Sequence, residues 1–248
     1  MSNADRKEAE CGAATGSSLM IRLRGVCKTY QREQQTIPVL ESIDLDIAEN
    51  SFEALMGPSG SGKTTLLNLI AGIDRPSAGS ITVGGIEIGG LSEGKLSSWR
   101  AHNIGFIFQQ YNLLPTLTAF QNVELPLLLT KLGSAERAKS VSTALKIVGL
   151  TEFKDHYPRQ LSGGQEQRIA IARAIVTDPA IFIADEPTGN LDRKNADEVL
   201  NLLSLLHREF KKTTVMVTHD PAAARHAMVV RRIDKGQLVH DRTEQPLA

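Results

Sequence analysis

FEALMGPSGSGKTTLLNLIAG, residues 52–72, is the stretch on which the fold turns. Its first five residues are a short apolar run, consistent with a strand covered on both faces. GPSGSGKT at 57–64 then matches the spacing G-x-x-x-x-G-K-S/T, and TTLLNLIAG continues as a helical run. The glycines let the backbone curl until successive N–H groups face one point. The helix behind them adds its unpaired first-turn donors and the positive end of its dipole. Gly57, Pro58, Ser59, Gly60, Ser61, Gly62, Lys63, Thr64 and Thr65 are therefore the candidate phosphate cradle. In it Lys63 reaches the β- and γ-phosphates and the Thr64 hydroxyl coordinates Mg²⁺. A glycine-rich turn with a surface lysine is the competing reading; the strand before and the helix after favour the cradle.

Two further apolar runs follow, AIFIA at 180–184 and TTVMVT at 213–218. Between them NADEVLNLLSLLHREF puts Val199, Leu202, Leu203, Leu206 and Phe210 on one helix face, so the segment is a βαβ unit of a parallel sheet. The runs lead into Gly57, into Asp185-Glu186 and into His219, at the carboxyl edge where open α/β sheets place ligands. Asp185 suits Mg²⁺, directly or through water, and Glu186 would then face the γ-phosphate and polarise the attacking water. An acid pair at a strand end is often only a strand reaching solvent; the P-loop's need for a metal-binding acid is what gives this one weight. His219, in THD, is either a structural histidine or a γ-phosphate contact. Gln109, in GFIFQQYNLLP, follows an apolar strand and could touch metal or water, beside Phe106, Phe108 and Tyr111, which read as core. The chemistry implied is phosphoryl transfer to water, driven by positioning and charge neutralisation.

Upstream, Leu19, Ile21 and Leu23 alternate and run on to Val26 and Tyr30, and VLESIDLDI alternates again. SITVGGIEI carries Gly84-Gly85 between apolar runs, a tight hairpin signal. These segments predict an N-terminal antiparallel β layer. NVELPLLLTKL and AERAKSVSTALKIVGL, the latter closing on Gly149, are helical, giving an inserted helical lobe over about 112–160. The fold class is thus α/β, a P-loop NTPase core with a mostly parallel sheet. Residues 1–18 are expected to be a flexible tail without chemical duty, and 19–248 a single domain.

Composition narrows the partners. With 28 acidic and 28 basic residues there is no field to hold a nucleic-acid backbone, and no nucleic-acid partner is expected. The two cysteines suggest no disulfide framework: Cys27 reads as a buried thiol and Cys11 lies in the polar tail, so a reducing cytosol is the expected home. No segment approaches the ~18 apolar residues of a membrane span, and MSNADRKEAECGAATGSS lacks the apolar middle of a signal peptide. Any link to a membrane is expected to come through a partner.

A second helix start, LSGGQEQRIAIARA from Leu161, has Ser162 as N-cap, Gly163 and Gly164 with unobstructed N–H groups, and a buried face beginning at Ile169, Ile171 and Ala172. It is a second anion site in a chain that already has one. A P-loop, LSGGQ, an acid pair and a late histidine, in this order, resemble the nucleotide-binding ATPase of ABC transporters, from about Leu19 to His240. GFIFQQYNLLPTLTAFQNVELPL and DEPTGNLD resemble the lipoprotein-release and macrolide-exporter subgroup. The resemblance implies the ABC ATPase fold, ATP and Mg²⁺, and two copies meeting head to tail. Each ATP then lies between one P-loop and the partner's Ser162, Gly163, Gly164 and Gln165, with Ser162 and Gly164 on the γ-phosphate.

Carried over in the same way, Asp192 communicates between sites, Tyr30 stacks on adenine, and His219 contacts the γ-phosphate. Glu186 is the base, and Gln109 senses metal and relays to an integral membrane permease. The protein would then sit on the inner face of the cell membrane through that permease. For Tyr30 an exposed strand-end tyrosine is the plain alternative. Leu113, Leu114 and Leu117 either receive a partner's cytoplasmic helix or pack within the lobe.

Two departures stand out. Asn50-Ser51 replaces the usual Gly-Glu, and Asn tolerates the positive φ of the turn. Glu166 replaces a common Gln, placing negative charge by an anion site, which predicts slower or weaker ATP sandwiching. A DNA-repair or chromosome-maintenance ATPase is the alternative class. It calls for a long coiled coil between P-loop and signature, where only a short helical segment without sustained heptads occurs. A translation factor with paired cassettes calls for a second P-loop.

Overall fold

The computed structural model describes residues 18–32 and 35–239. The expected N-terminal tail therefore lies outside the described residues, apart from Ser18. The chain opens with two long strands, β1 (Leu19–Arg32) and β2 (Gln35–Ala48), paired antiparallel. They join β4 (Ala78–Val83) and the short β5 (Ile86–Glu87) in a sheet ordered β2-β1-β4-β5. Gly84 and Gly85, at φ 55° and 76°, make the β4–β5 turn, whose twist needs positive φ at both positions. The antiparallel layer is as expected. Cys27 is half-buried rather than buried, its Sγ accepting from the Ser42 N–H at 3.3 Å.

The second sheet is the core of the site. Its order is β10-β9-β3-β8-β7-β6, with β3 (Phe52–Met56), β6 (Ile104–Ile107), β7 (Ile181–Asp185), β8 (Thr213–Thr218) and β9 (Val229–Asp234) parallel and β10 (Gln237–Val239) antiparallel at one edge. Alternation along a strand sends neighbours to opposite faces. In β7, Ile181 and Ile183 join one apolar core with Leu55, Val215, β1, β2 and α1 (Lys63–Ile70). Phe182 and Ala184 join the other, with Phe52, Met216 and the helices α5 (Gly163–Ile175) and α6 (Arg193–Phe210). A sheet covered on both faces explains runs with no polar alternation. The usual turn survives before β3: Asn50 takes φ 56°, and its N–H donates to Thr213 Oγ1.

Two sequence expectations need correction. α6 buries Val199, Leu200, Leu202, Leu203 and Leu206, but Phe210, assigned to that face, is 46 % exposed. It ends the helix, next to a left-handed Lys211 at φ 50°, one turn beyond Leu206. NVELPLLLTKL does not continue as one α-helix. α3 (Ala119–Glu124) tightens into a 3₁₀ turn over Leu125–Leu129, because Pro126 lacks an N–H for the α ladder. α2 (Glu93–Asn103), α4 (Ser134–Ile147) and the short α7 (Pro221–Ala224) are the remaining α-helices among the described residues, with Gly149 at φ 71° just past α4. α5 packs against α3, α4, α6 and β6, whereas α1 packs against β2, β4, β7 and β8.

Candidate active site

β3 delivers the chain to Gly57, where a Cβ would collide with the Ile233 carbonyl, so only glycine lets the loop turn there. Gly62, at φ 100°, sits against Leu40 and the Val39 carbonyl in a conformation L-residues rarely adopt. α1 starts directly behind it without a side-chain cap or a first-turn acid, leaving its first N–H groups to the loop. Lys63, 6 % exposed, folds under the loop and donates to the Gly57 and Pro58 carbonyls at 2.8 Å each. The Ser61 hydroxyl is buried with no hydrogen-bond partner among the described residues. Uncapped donors, a buried ammonium and an orphaned hydroxyl are a donor set with an anion's chemistry.

β7 brings the acids to the same edge. Asp185 Oδ1 accepts from the Thr64 hydroxyl at 3.2 Å. Burial pushes its carboxyl above the usual range; the Thr64 bond pulls it down, and the neighbouring Glu186 charge adds to the rise. Glu186 takes φ 45°, a left-handed conformation that costs a side chain about 1–2 kcal/mol. It is locked there: its N–H donates to the Val217 carbonyl at 2.9 Å and its own carbonyl accepts from Gly189 at 3.0 Å. Its Oε1 lies 3.1 Å from Nδ1 of His219, which follows β8 and is well exposed. The βαβ unit thus joins the base candidate to the histidine that sequence left open.

Tyr30 is neither free nor a plain surface residue. Its hydroxyl donates to Asp74 Oδ2 at 2.7 Å, and the Lys28 ammonium, 2.7 Å from Asp74 Oδ1, stands 4.7 Å from the ring centroid. The ring remains 40 % exposed. Burial alone would raise the Asp74 carboxyl, but the bonds from Lys28, Tyr30 and the Arg75 N–H outweigh it and hold it below the usual range. Burial, then the bond to Asp74, raises the Tyr30 phenol.

The LSGGQ stretch sits elsewhere. Ser162 Oγ accepts from the Gln165 N–H at 3.3 Å, and Gln165 Oε1 accepts from the Ser162 N–H at 2.8 Å, a reciprocal cap on α5. A Cβ on Gly163 would meet the Tyr111 hydroxyl, and one on Gly164 would strike the Asn195 carboxamide. Asn195 is itself held by the Asp192 carboxylate through its backbone N–H at 2.9 Å and its side chain at 2.7 Å. These bonds, the backbone one first, keep the Asp192 carboxyl below its usual range. The α5 and α6 ends therefore abut. Gln109 packs on Gly189 and exchanges hydrogen bonds with Asn190, donating to its Oδ1 at 3.4 Å and accepting at its own carbonyl at 3.1 Å.

The predicted residues thus fall into two groups. Gly57–Thr65, Asp185, Glu186 and His219 share the sheet edge, while Ser162–Gln165 cluster with Asp192. Gln109 rests on the loop that runs from one to the other. Burial also lifts the Glu166 carboxyl above its usual range, and burial, then Glu166, raises the Tyr111 phenol.

Sequence reading passed over several residues that hold this arrangement. Asn122 is fully buried and bonds Leu114, Leu117 and Thr118 of the preceding loop. Gln167 is fully buried on the stripe Gly164, Gln167, Ile171, Ala174. A polar residue in a buried stripe was the available signal for both. Asp74 carried none, since its bonds to Lys28 and Tyr30 come from a distant segment; Asn195 bonds Asp192 locally, but its contact with Gly164 is long-range.

The comparisons agree with this geometry. The sequence profile of the family described as ABC transporter matches residues 40–189, more than half of the chain. The macrolide export ATP-binding/permease protein MacB 1/2 of Paracoccus denitrificans is 46 % identical over 230 residues, 93 % of this chain and 34 % of that longer one. The lipoprotein-releasing system ATP-binding protein LolD of Chromohalobacter salexigens is 40 % identical over 92 % of this chain and 97 % of its own. Among solved structures, the dimeric post-hydrolysis state of the cassette MJ0796 of Methanocaldococcus jannaschii, bound to ADP and Pi, superposes with a TM-score of 0.84. It is 40 % identical and covers 92 % of this chain and 100 % of its own. The two-sheet fold, the phosphate loop and the matched family lead to one conclusion: this chain belongs to the ABC transporter family, as an ATP-binding ATPase subunit.

Proposed function

We propose that the chain works as one of two identical ATPase subunits under a membrane permease, with each ATP held between the P-loop of one copy and the signature helix of the other. The division of the site carries this reading. An uncapped phosphate loop with an orphaned Ser61 hydroxyl lies on one set of elements, and the glycine-opened α5 end lies on another. The dimeric, nucleotide-bound cassette MJ0796 supports it, as do relatives named for lipoprotein release and for a joined ATP-binding/permease protein.

In this reading the P-loop N–H groups and Lys63 bind the β- and γ-phosphates, and Tyr30, steadied by Asp74 and Lys28, stacks on adenine. No group of three His, Cys, Asp or Glu suited to a metal occurs among the described residues. The donor set instead fits Mg²⁺, which commonly relies on one carboxylate, a hydroxyl and the nucleotide's own phosphates; here Asp185 and Thr64 would hold it, and the family resemblance adds Gln109. When bound, the ion neutralises phosphate charge. Glu186 takes the proton of the attacking water. His219 orients Glu186 and reaches the γ-phosphate, while Ser162 and Gly164 meet that phosphate from the other copy and Asp192 links the two sites.

Among the described residues no helix is long and apolar enough to cross a membrane, so the membrane contact is assigned to a surface. Residues 112–160, taken as the helical lobe, border a groove of about 510 Å³ lined by Phe106, Phe108, Leu125, Leu129 and Arg173. Leu113 packs on the core, whereas Leu114 is 47 % exposed and Leu129 78 %. Of the three candidate leucines, Leu113 and Leu117 are half-buried and Leu114 alone is exposed, like the groove-lining Leu129. Leu114 is thus the one of the three left for a partner's helix. Leu114→Asp is expected to abolish co-purification with the permease from detergent-solubilised membranes while ATP binding persists. Undiminished assembly would overturn the docking surface.

A further inference from the structure

We propose that Gln167 is a positioning residue for ATP hydrolysis, a buried clasp on the signature helix that fixes the carbonyls flanking Glu186 and Gln109. The proposal rests on the reading of Glu186 as base. Gln167 lies on α5, three residues past Gly164, and is fully buried. Its Nε2 donates to the Pro187 carbonyl at 2.6 Å and to the Phe108 carbonyl at 3.3 Å. Pro187 directly follows Glu186, and Phe108 directly precedes Gln109. Both partners are acceptors, so the amide has only one orientation that satisfies them.

Apolar packing alone does not account for this side chain. Its Oε1 is buried with no partner among the described residues, and its neighbours on the stripe, Ile171 and Ala174, are apolar. A methionine would fill the same space and remove the orphaned Oε1, but it would take the donor away from the Pro187 and Phe108 carbonyls. What the glutamine alone supplies is the pair of donors.

The two carbonyls matter because of what stands beside them. Glu186 is held in a left-handed conformation by Val217 and Gly189, partners from the sheet and from its own turn. The bond to Pro187 anchors the same turn from α5. On the other side, Arg173 of α5 donates to the Tyr111 and Asn112 carbonyls, and Gln109 is paired with Asn190. Among these links Gln167 is the side chain that bonds both the 108–112 segment and the Glu186 turn from α5.

The test is steady-state ATPase kinetics on the full chain. Gln167→Met is expected to lower kcat by about tenfold to a hundredfold, the scale of a displaced catalytic group, while KM for ATP stays within about twofold. Gln167→Glu supplies a second readout that packing would not move. A buried carboxyl donates only when protonated, so its kcat relative to wild type should climb as pH falls from about 8 to about 6, while the Gln167→Met ratio stays flat. A wild-type kcat in Gln167→Met, or a pH-independent ratio in Gln167→Glu, would overturn the proposal with the base reading intact. Wild-type turnover by Glu186→Gln in the same assay would remove both.

Discussion

At the P-loop, Lys63 turns back on the loop's own carbonyls and α1 begins without a cap; at α5, Ser162 and Gln165 cap each other and the glycines lie against Tyr111 and Asn195. One end leaves donors and a hydroxyl unsatisfied, the other settles its polar side chains within the chain. An end of the first kind gains most from a phosphate, because ligand bonds replace missing ones. An end of the second kind is stable without any ligand, so the phosphate contact proposed for it can form and break during turnover at little structural expense. That difference suits a permanent binding loop and a temporary one.

Four substitutions break or sharpen the contrast. The largest effect belongs to Glu186, where loss of a general base is expected to slow hydrolysis by about 10²–10⁴-fold in Glu186→Gln, with ATP still bound and an ATP-loaded dimer accumulating. Single-turnover hydrolysis and sedimentation read the two parts. Next, Lys63→Ala removes charge-assisted bonds of about 1.5–3 kcal/mol, so the Kd for ATP should rise about tenfold to a hundredfold by titration calorimetry. An unchanged Kd would mean that Lys63 belongs to the fold and not to the ligand.

Ser162→Ala should leave ATP binding intact. It removes the cap, about 1 kcal/mol of stability by denaturant titration, and weakens ATP-driven dimerisation. Hydrolysis strictly proportional to protein concentration in the wild type, down to high dilution, would erase the idea of a borrowed second end.

The smallest effect concerns Asp74. Its carboxyl is held low in the folded state, so it contributes stability that is present above the ordinary value of about 3.9 and lost as pH falls through the folded value. Asp74→Asn should therefore melt below wild type near neutrality, and the gap should close in acid. Parallel melting curves at every pH would show that Asp74 does not steady the Tyr30 side of the pocket in this way.

Much of the site was readable before any coordinates. GPSGSGKT, the acid pair after AIFIA and the Ser162 cap are local patterns, and each appears where expected. His219 was ambiguous because a histidine after a strand says nothing about its partner; pairing of β7 with β8 sets it beside Glu186. Phe210 misled because helical periodicity runs to the end of α6, whereas burial ends one turn earlier, at Leu206. Pro126 falls within the run NVELPLLLTKL, and its missing N–H marks the break.

By itself, then, the sequence did not mark β9, β10 or α2, but it determined the strands β1 to β8, the glycine turn at Gly84-Gly85, and the starts of α1 and α5 at their glycine motifs. Those properties depend on neighbours a few residues apart. Only the tertiary structure decided that Tyr30 is tied to Asp74, that Gly164 rests on Asn195, that Gln167 clasps the carbonyls of Phe108 and Pro187, and that Leu114 rather than Leu113 faces outward. The polarity of a buried side chain demands a partner, but the packing of segments far apart along the chain chooses which one.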